Sequence, residues 1–227
     1  MTEHDLDNPF WSSLRDRHRA LAQTMGDVAR YPPDVAPFLG IANTDEYVAD
    51  ALDSLIPTGD AVCLLGVAPT KVPDGWRLEA FVDLAQMVCD APIAVADGPE
   101  VIELSERHRA DVLALTALVY PHYFRPRTME LGRYFGIYQD GRLAAMIGER
   151  LGTDDAQEIS AICTHPDFNG RGFARRLTAL LSNDNLARGR NPFLHVSQEN
   201  QRAMRLYEQL GFRRRREIAF WSLQRAV

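Results

Sequence analysis

Two glycines flank one arginine at Gly170-Arg171-Gly172, inside the run Cys163-Thr164-His165-Pro166-Asp167-Phe168-Asn169-Gly170-Arg171-Gly172-Phe173-Ala174. An extended apolar segment, Ile159 to Cys163, leads into this run, and a helical pattern from Ala174 to Leu186 follows it. Glycine lets a backbone approach a ligand and take dihedrals that a Cβ forbids. A helix start adds unpaired N–H groups and the positive end of the dipole. Together these suit a phosphate or pyrophosphate, so residues 169–175 are expected to hold a phosphate-bearing group. A dinucleotide fold would need G-x-G-x-x-G near the start of repeated parallel units, and a P-loop would need G-K-[ST]. Neither is present.

The elements around this loop alternate clearly in the second half of the chain. Val101–Leu104 reads as a strand, and Ser105 can cap a helix with Val112, Leu115 and Val119 on one stripe. Tyr134–Tyr138 and Leu143–Arg150 read as strands joined through Asp140-Gly141, a hairpin signal. Glu158–Thr164 is the next strand. The helix after the loop ends at Gly189, Phe193–Val196 is a strand, and Asn200 caps a helix ending at Gly211. Arg215–Leu223 is expected to be the last strand. The first half is less regular. Asn8-Pro9 is a helix start, with Trp11, Leu14, His18 and Leu21 on one face. A second helix is expected from about Glu46 to Leu55, and Ala61–Val67 and Arg77–Val88 read as strands. Ala91–Pro99 is the linker candidate.

Bulk properties narrow the class. The chain has 227 residues, 46% hydrophobic, with a net charge of −6. Residues 1–100 carry 6 Lys+Arg against 17 Asp+Glu, and the remainder carries 19 against 14. An anionic ligand in the second half fits that asymmetry. Nucleic acid does not, because the overall balance is acidic and no basic-aromatic platform recurs. No apolar run approaches the ~18–20 residues of a membrane span, and the acidic Met1–Asp5 start lacks signal-peptide features. Cys63, Cys89 and Cys163 form neither a disulfide framework nor a metal-ligand spacing, so no metal and a cytoplasmic location are expected.

The strand–loop–helix at Glu158–Leu181 and the segment Asn200-Gln201-Arg202-Ala203-Met204-Arg205-Leu206-Tyr207-Glu208-Gln209-Leu210-Gly211-Phe212 resemble the two signature regions of GNAT-superfamily N-acetyltransferases. The first resembles the family's [Q/R]-x-x-G-x-[G/A] loop, with Gly172 and Ala174 in the small positions. The second is similar to its N-x-x-A-x-x-L-Y-x-x-x-G-F helix. The resemblance covers roughly residues 100–225. It looks closest to the branch that includes the C-terminal domain of glycine acyltransferase-like proteins. Asn169 departs from the pattern, standing where Gln or Arg is usual.

The resemblance implies an α/β (α+β) fold, a mixed and mostly antiparallel sheet flanked by helices, in residues 96–227. Residues 1–95 would then be a smaller α/β region of unassigned role, with a degenerate related half as one reading. It also implies acetyl-CoA as cosubstrate and a small amine or amino-terminal acceptor, in a monomer or homodimer. The pyrophosphate would lie on Asn169, Gly170, Arg171, Gly172, Phe173, Ala174 and Arg175. The pantetheine arm would pair along Ile162, Cys163 and Thr164. Asn200 and Tyr207 lie two helical turns apart, on one face that can meet the sulfur end. Tyr207 is the expected general acid, because a phenol with a pKa of about 10 is protonated at neutral pH. Glu158 is the leading base, on the family's pattern; Glu149 and water are the alternatives. Strand alternation would put Glu158, Ser160, Ile162 and Thr164 on one face.

Other reactive residue types have plainer readings. His165 reads as a turn residue, His195 as a core or cleft histidine, and Cys163 as a small buried residue. Arg213–Arg216 reads as an ion-paired or solvated strand. His122, Tyr123 and Phe124 fall where the family builds its acceptor pocket. Longer acyl donors, and a non-catalytic acyl-CoA-binding module, are the alternative functions.

Overall fold

A computed structural model describes residues 3–45 and 47–226. In chain order the helices are α1 (Glu3–Asp7), α2 (Pro9–Arg15), α3 (Ala49–Leu55), α4 (Arg109–Val119), α5 (Phe173–Ala187) and α6 (Gln201–Gln209). The strands are β1 (Gln23–Met25), β2 (Val28–Arg30), β3 (Leu39–Ile41), β4 (Ala61–Leu65), β5 (Trp76–Ala80), β6 (Leu84–Val88) and β7 (Ile102–Leu104). They continue with β8 (Tyr134–Gln139), β9 (Arg142–Gly152), β10 (Ala156–Thr164), β11 (Asn191–Ser197), β12 (Arg213–Ile218) and β13 (Phe220–Arg225). Seven strands form the main sheet in the order β12-β6-β11-β10-β9-β8-β7. Only β10 and β11 run parallel in it. Two three-stranded sheets, β1-β2-β3 and β4-β13-β5, complete the architecture. This is the expected mixed, mostly antiparallel sheet with flanking helices.

The β8–β9 hairpin turns on Asp140 and Gly141 with φ of 52° and 73°. Two consecutive residues at positive φ are what a two-residue hairpin of this twist needs, and Asp-Gly supplies them. Helix α5 buries Phe173, Leu177 and Leu181 against Ile159 and Leu194. Each such side chain contributes about 1.5–3 kcal/mol of hydrophobic free energy. Helix α4 packs the opposite face, with Val112 and Leu115 against Ala161, Cys163 and Met146.

The chain departs from the expected elements in several places. Arg77–Val88 and Arg215–Leu223 are not single strands. Each breaks and changes sheet, at Phe81–Asp83 and at Ala219 respectively. Phe81 N donates to Phe220 O at 2.8 Å, so the two crossings lie side by side. Helix α2 stops at Arg15, and His18 sits beyond it as a buried turn residue bonded to Tyr31 Oη at 2.8 Å and Leu131 O at 2.8 Å. Asn8 holds the N-cap position ahead of Pro9 as expected, but its side chain makes no cap bond; its amide donates to Ile41 O at 2.7 Å. Helix α3 begins at Ala49; Glu46, its expected start, lies outside the described residues.

Strands are exchanged across the expected boundary near residue 95. β6 comes from before it and lies between β11 and β12, while β13 comes from after it and lies between β4 and β5. Among the described residues no helix is long and apolar enough to cross a membrane. No group of three or more His, Cys, Asp or Glu among them could hold a metal.

Candidate active site

β10 and β11 pair only at Ala156–Glu158 against Asn191–Phe193. Beyond Glu158 the two strands part, and β10 from Ile159 to Thr164 keeps a partner only on its β9 side. The freed edge of Ile162–Thr164 carries N–H and C=O groups of the kind an extended, amide-bearing ligand can join as an added strand. A bulge reinforces the opening. Ala161 has φ of 50°, and the β9–β10 register shifts between Ser160 and Cys163.

The bulge corrects one sequence expectation. An extra residue resets strand alternation, so Ile159 and Ile162 share the α5 face, while Ala161 and Cys163 share the α4 face. Glu158 and Ser160 are therefore not on the face of Ile162 and Thr164. Cys163 is the small buried residue expected. Its side chain is buried among Leu104, Val112 and Leu115, and burial pushes its thiol up to about 12. Only its backbone is available to a ligand in the cleft.

The opening is a cavity of about 540 Å³ running from β10 over the glycine loop to α6. Ile162, Thr164, Asn169, Gly170, Arg171, Gly172, Phe173, Ala174, Arg175, Asn200 and Tyr207 all line it. Gly170 and Gly172 have φ of 79° and 78°, and a Cβ on either would meet nothing within 4 Å. Glycine is needed there for backbone conformation, not for clearance. Gly172 caps α5 directly, so the free N–H groups of that helix open onto the loop. Arg171 stacks over Phe168 at 4.9 Å. The short Asn169 is exposed at the loop. Arg202, Leu118 and Val119 also line the cleft, none of them expected at the site; Val119, expected on the packed stripe of α4, is 38% exposed there. Only the fold brings α4 to this edge.

On α6, Asn200 Oδ1 accepts from Ala203 N at 3.1 Å, the expected cap. Tyr207, two turns on, is 7% exposed and faces the cleft. Burial raises its phenol above the ordinary tyrosine value, so it stays protonated throughout the neutral range.

The glutamate expected as base is placed otherwise. Glu158 is fully buried and lines neither this cleft nor the adjoining cavity. Arg150 clasps it in a fork, Nε to Oε2 at 2.7 Å and Nη2 to Oε1 at 2.6 Å. Leu151 N donates to Oε2 at 3.3 Å, and His195 Nδ1 lies 2.7 Å from Oε1. Burial alone would raise the carboxyl. The Arg150 charge and hydrogen bonds, with His195, outweigh it and bring the pKa down to about 2. A carboxylate so held has little affinity for a proton. Glu158, the residue expected as base, is thus held as the counter-ion of Arg150 and has no surface in either cavity. Glu149, the alternative, is forked by Arg133 and lines neither cavity.

The network continues beyond Glu158. Gln86 Nε2 donates to Leu6 O at 2.7 Å and to His195 Nε2 at 2.9 Å, which leaves the ring proton on Nδ1 toward Glu158. Arg215 Nη1 donates to Gln86 Oε1 at 2.8 Å and to Asp7 Oδ1 at 2.7 Å. Arg150, Glu158, His195 and Gln86 thus come from four strands of the main sheet. Arg150 had one visible signal, a charged pair within the apolar run of β9; Gln86 had none.

A second cavity of about 410 Å³ adjoins the first. Its lining includes Tyr120, Tyr123, Arg150, His195 and Phe220, with Phe10, Phe38 and Phe81 from the first hundred residues. Asn200 lines both cavities. Of the three loop residues marked for an acceptor, Tyr123 lines this cavity and Phe124 a small one beside it; His122 is exposed and lines neither. His165 is a turn residue whose Nδ1 accepts from Asp167 N at 3.2 Å. The arginines of β12 are ion-paired, Arg213 with Asp90 and both Arg215 and Arg216 with Asp7.

Known proteins share this fold. The family model for FR47-like protein matches residues 134–221. No curated protein matches the sequence significantly. A GCN5-related N-acetyltransferase from Kribbella flavida shares the fold, with a TM-score of 0.62 at 14% identity over 92% of this chain and 93% of that one. A crystal structure from Novosphingobium aromaticivorans DSM 12444, described as a GNAT-family acetyltransferase, is 34% identical. It covers 99% of this chain and 100% of its own, with a TM-score of 0.90. With that identity maintained over the whole length of both chains, this protein belongs to the GNAT family of acetyltransferases.

Proposed function

We propose that this acyltransferase moves an acetyl group from acetyl-CoA to a primary amine by direct attack within a ternary complex. One observation carries the reading. Every residue expected to hold the donor except Cys163 lines a single cleft, and that cleft meets the second cavity at Asn200. In this reading residues 169–175 hold the pyrophosphate and Ile162–Thr164 align the pantetheine amides. Tyr207 hands its proton to the departing thiolate as the C–S bond breaks and the C–N bond forms. The amine enters through the second cavity and loses its proton to water there. Arg150, Glu158 and His195 fix the floor of that cavity. Residues 1–95 supply part of its wall, a role that does not require them to be a separate domain.

Tyr207→Phe tests the assignment. Turnover should fall by about 10²–10⁴-fold, the usual contribution of a positioned acid, while acetyl-CoA affinity stays within a factor of two. Unchanged turnover would remove Tyr207 from the chemistry. A longer acyl donor, as in the glycine acyltransferase-like branch, is the second reading. Leu118 and Val119 favour it, because they present exposed apolar surface along the donor cleft. A chain-length series of acyl-CoA donors separates the two.

A further inference from the structure

Resting on the amine-transfer reading above, the second cavity says what kind of amine it takes. Its wall is a run of rings in mutual contact. Phe10 stacks on Phe38 at 4.3 Å, Phe38 meets Tyr123 at 6.5 Å, Tyr123 meets Phe220 at 6.0 Å, and Phe220 meets Phe81 at 5.1 Å. Aromatic faces and edges in this arrangement favour another flat ring. Phe81 and Val82 line the mouth, yet are 44% and 53% exposed. Large apolar surface left open at a cavity mouth is surface that an apolar ligand would cover.

Charge narrows the class further. The Arg150 charge is cancelled by the Glu158 fork, and His195 has both ring nitrogens engaged. Neither is left as a free counter-ion for a carboxylate on the acceptor. Glu199 is the one acidic side chain in the lining. It is exposed, next to Asn200, and takes part in no ion pair among the described residues. One carboxylate beside the junction can draw one ammonium; a polycation would need several. The volume of about 410 Å³ suits a small molecule.

We propose that the acceptor is a primary amine carried on an aromatic ring system, with no second charged group. The amine nitrogen forms the amide bond as the thioester C–S bond breaks. The acceptor's proton passes to water, the thiolate takes its proton from Tyr207, and water returns a proton to the Tyr207 phenolate.

The test measures CoA thiol release from acetyl-CoA with 2-phenylethylamine, n-propylamine, spermidine, an aminoglycoside and L-phenylalanine. 2-Phenylethylamine should exceed each of the others in kcat/KM by about a hundredfold, the scale of discrimination an apolar pocket can supply. Phe81→Ala should raise KM for 2-phenylethylamine about tenfold, the loss of one ring contact, and leave KM for n-propylamine unchanged. Equal or better turnover of spermidine, the aminoglycoside or L-phenylalanine overturns the proposal, as does an equal rise of both KM values in Phe81→Ala. Release with none of the amines would instead overturn the transfer reading. Titration of 2-phenylethylamine into the protein–CoA complex then judges the cavity separately: binding weakened by Phe81→Ala supports it, and absence of binding refutes it.

Discussion

Replacing Glu158 by glutamine should destabilise the protein through Arg150. The Glu158 side chain is wholly enclosed and that of Arg150 is 13% exposed, so water can do little for a guanidinium left alone. Removing one partner of such a pair costs about 3–5 kcal/mol, because an uncompensated charge stays buried. That is a large share of the roughly 5–15 kcal/mol that holds a domain together. The double variant Arg150→Met/Glu158→Gln removes the orphaned charge and should recover most of the loss, with a coupling energy of about 2–3 kcal/mol. Urea unfolding followed by fluorescence reads both, provided the slope is unchanged between variants. The pH dependence adds a signed check. The folded carboxyl titrates near 2 against 4.5 for the free group, so its contribution is complete above 4.5 and is lost as pH falls toward 2. That interval corresponds to about 3 kcal/mol. Wild type should lose this stability over that range, and the glutamine variant should lack that part of the loss. A single variant within 1 kcal/mol of wild type, or strictly additive single and double variants, would refute the reasoning.

Gly172→Ala should cost about 1–2 kcal/mol from left-handed backbone strain alone, since no neighbour opposes the new methyl; CoA titration should show weaker binding, and unchanged stability and affinity would count against the loop. Burial raises the thiols of Cys63, Cys89 and Cys163, the first to about 11 and the last to about 12. The native protein at pH 8 should therefore resist a thiol reagent that modifies all three in urea; rapid native reaction would contradict their burial. A fragment beginning at Asp97 should fail to fold, because it lacks β6 from between β11 and β12. A soluble fragment with a cooperative unfolding transition would show the exchange of strands to be dispensable.

What the sequence determined by itself was local. The glycine loop, the Asp140-Gly141 hairpin, the Asn200 cap and the Asn200–Tyr207 face depend on residues within two helical turns of one another. Their chemistry is written in neighbouring letters, which is why the donor side of the site was legible. The acceptor side was not, because each of its parts depends on pairing between distant segments. Neither Arg77–Val88 nor Arg215–Leu223 contains a glycine or proline, so no turn signal marks where each segment leaves one sheet for another. The bulge at Ala161 shifts which side chains face the cleft, and it arises from register with β9 rather than from an evident local signal. Glu158 illustrates the consequence. Its position on the strand was readable, but whether it is a base or a held counter-ion depends on Arg150, His195 and Gln86. Those residues are 8, 37 and 72 positions away in the chain, and only the tertiary fold encloses them together. A carboxylate's basicity is a property of its surroundings, and strand pairing sets the surroundings.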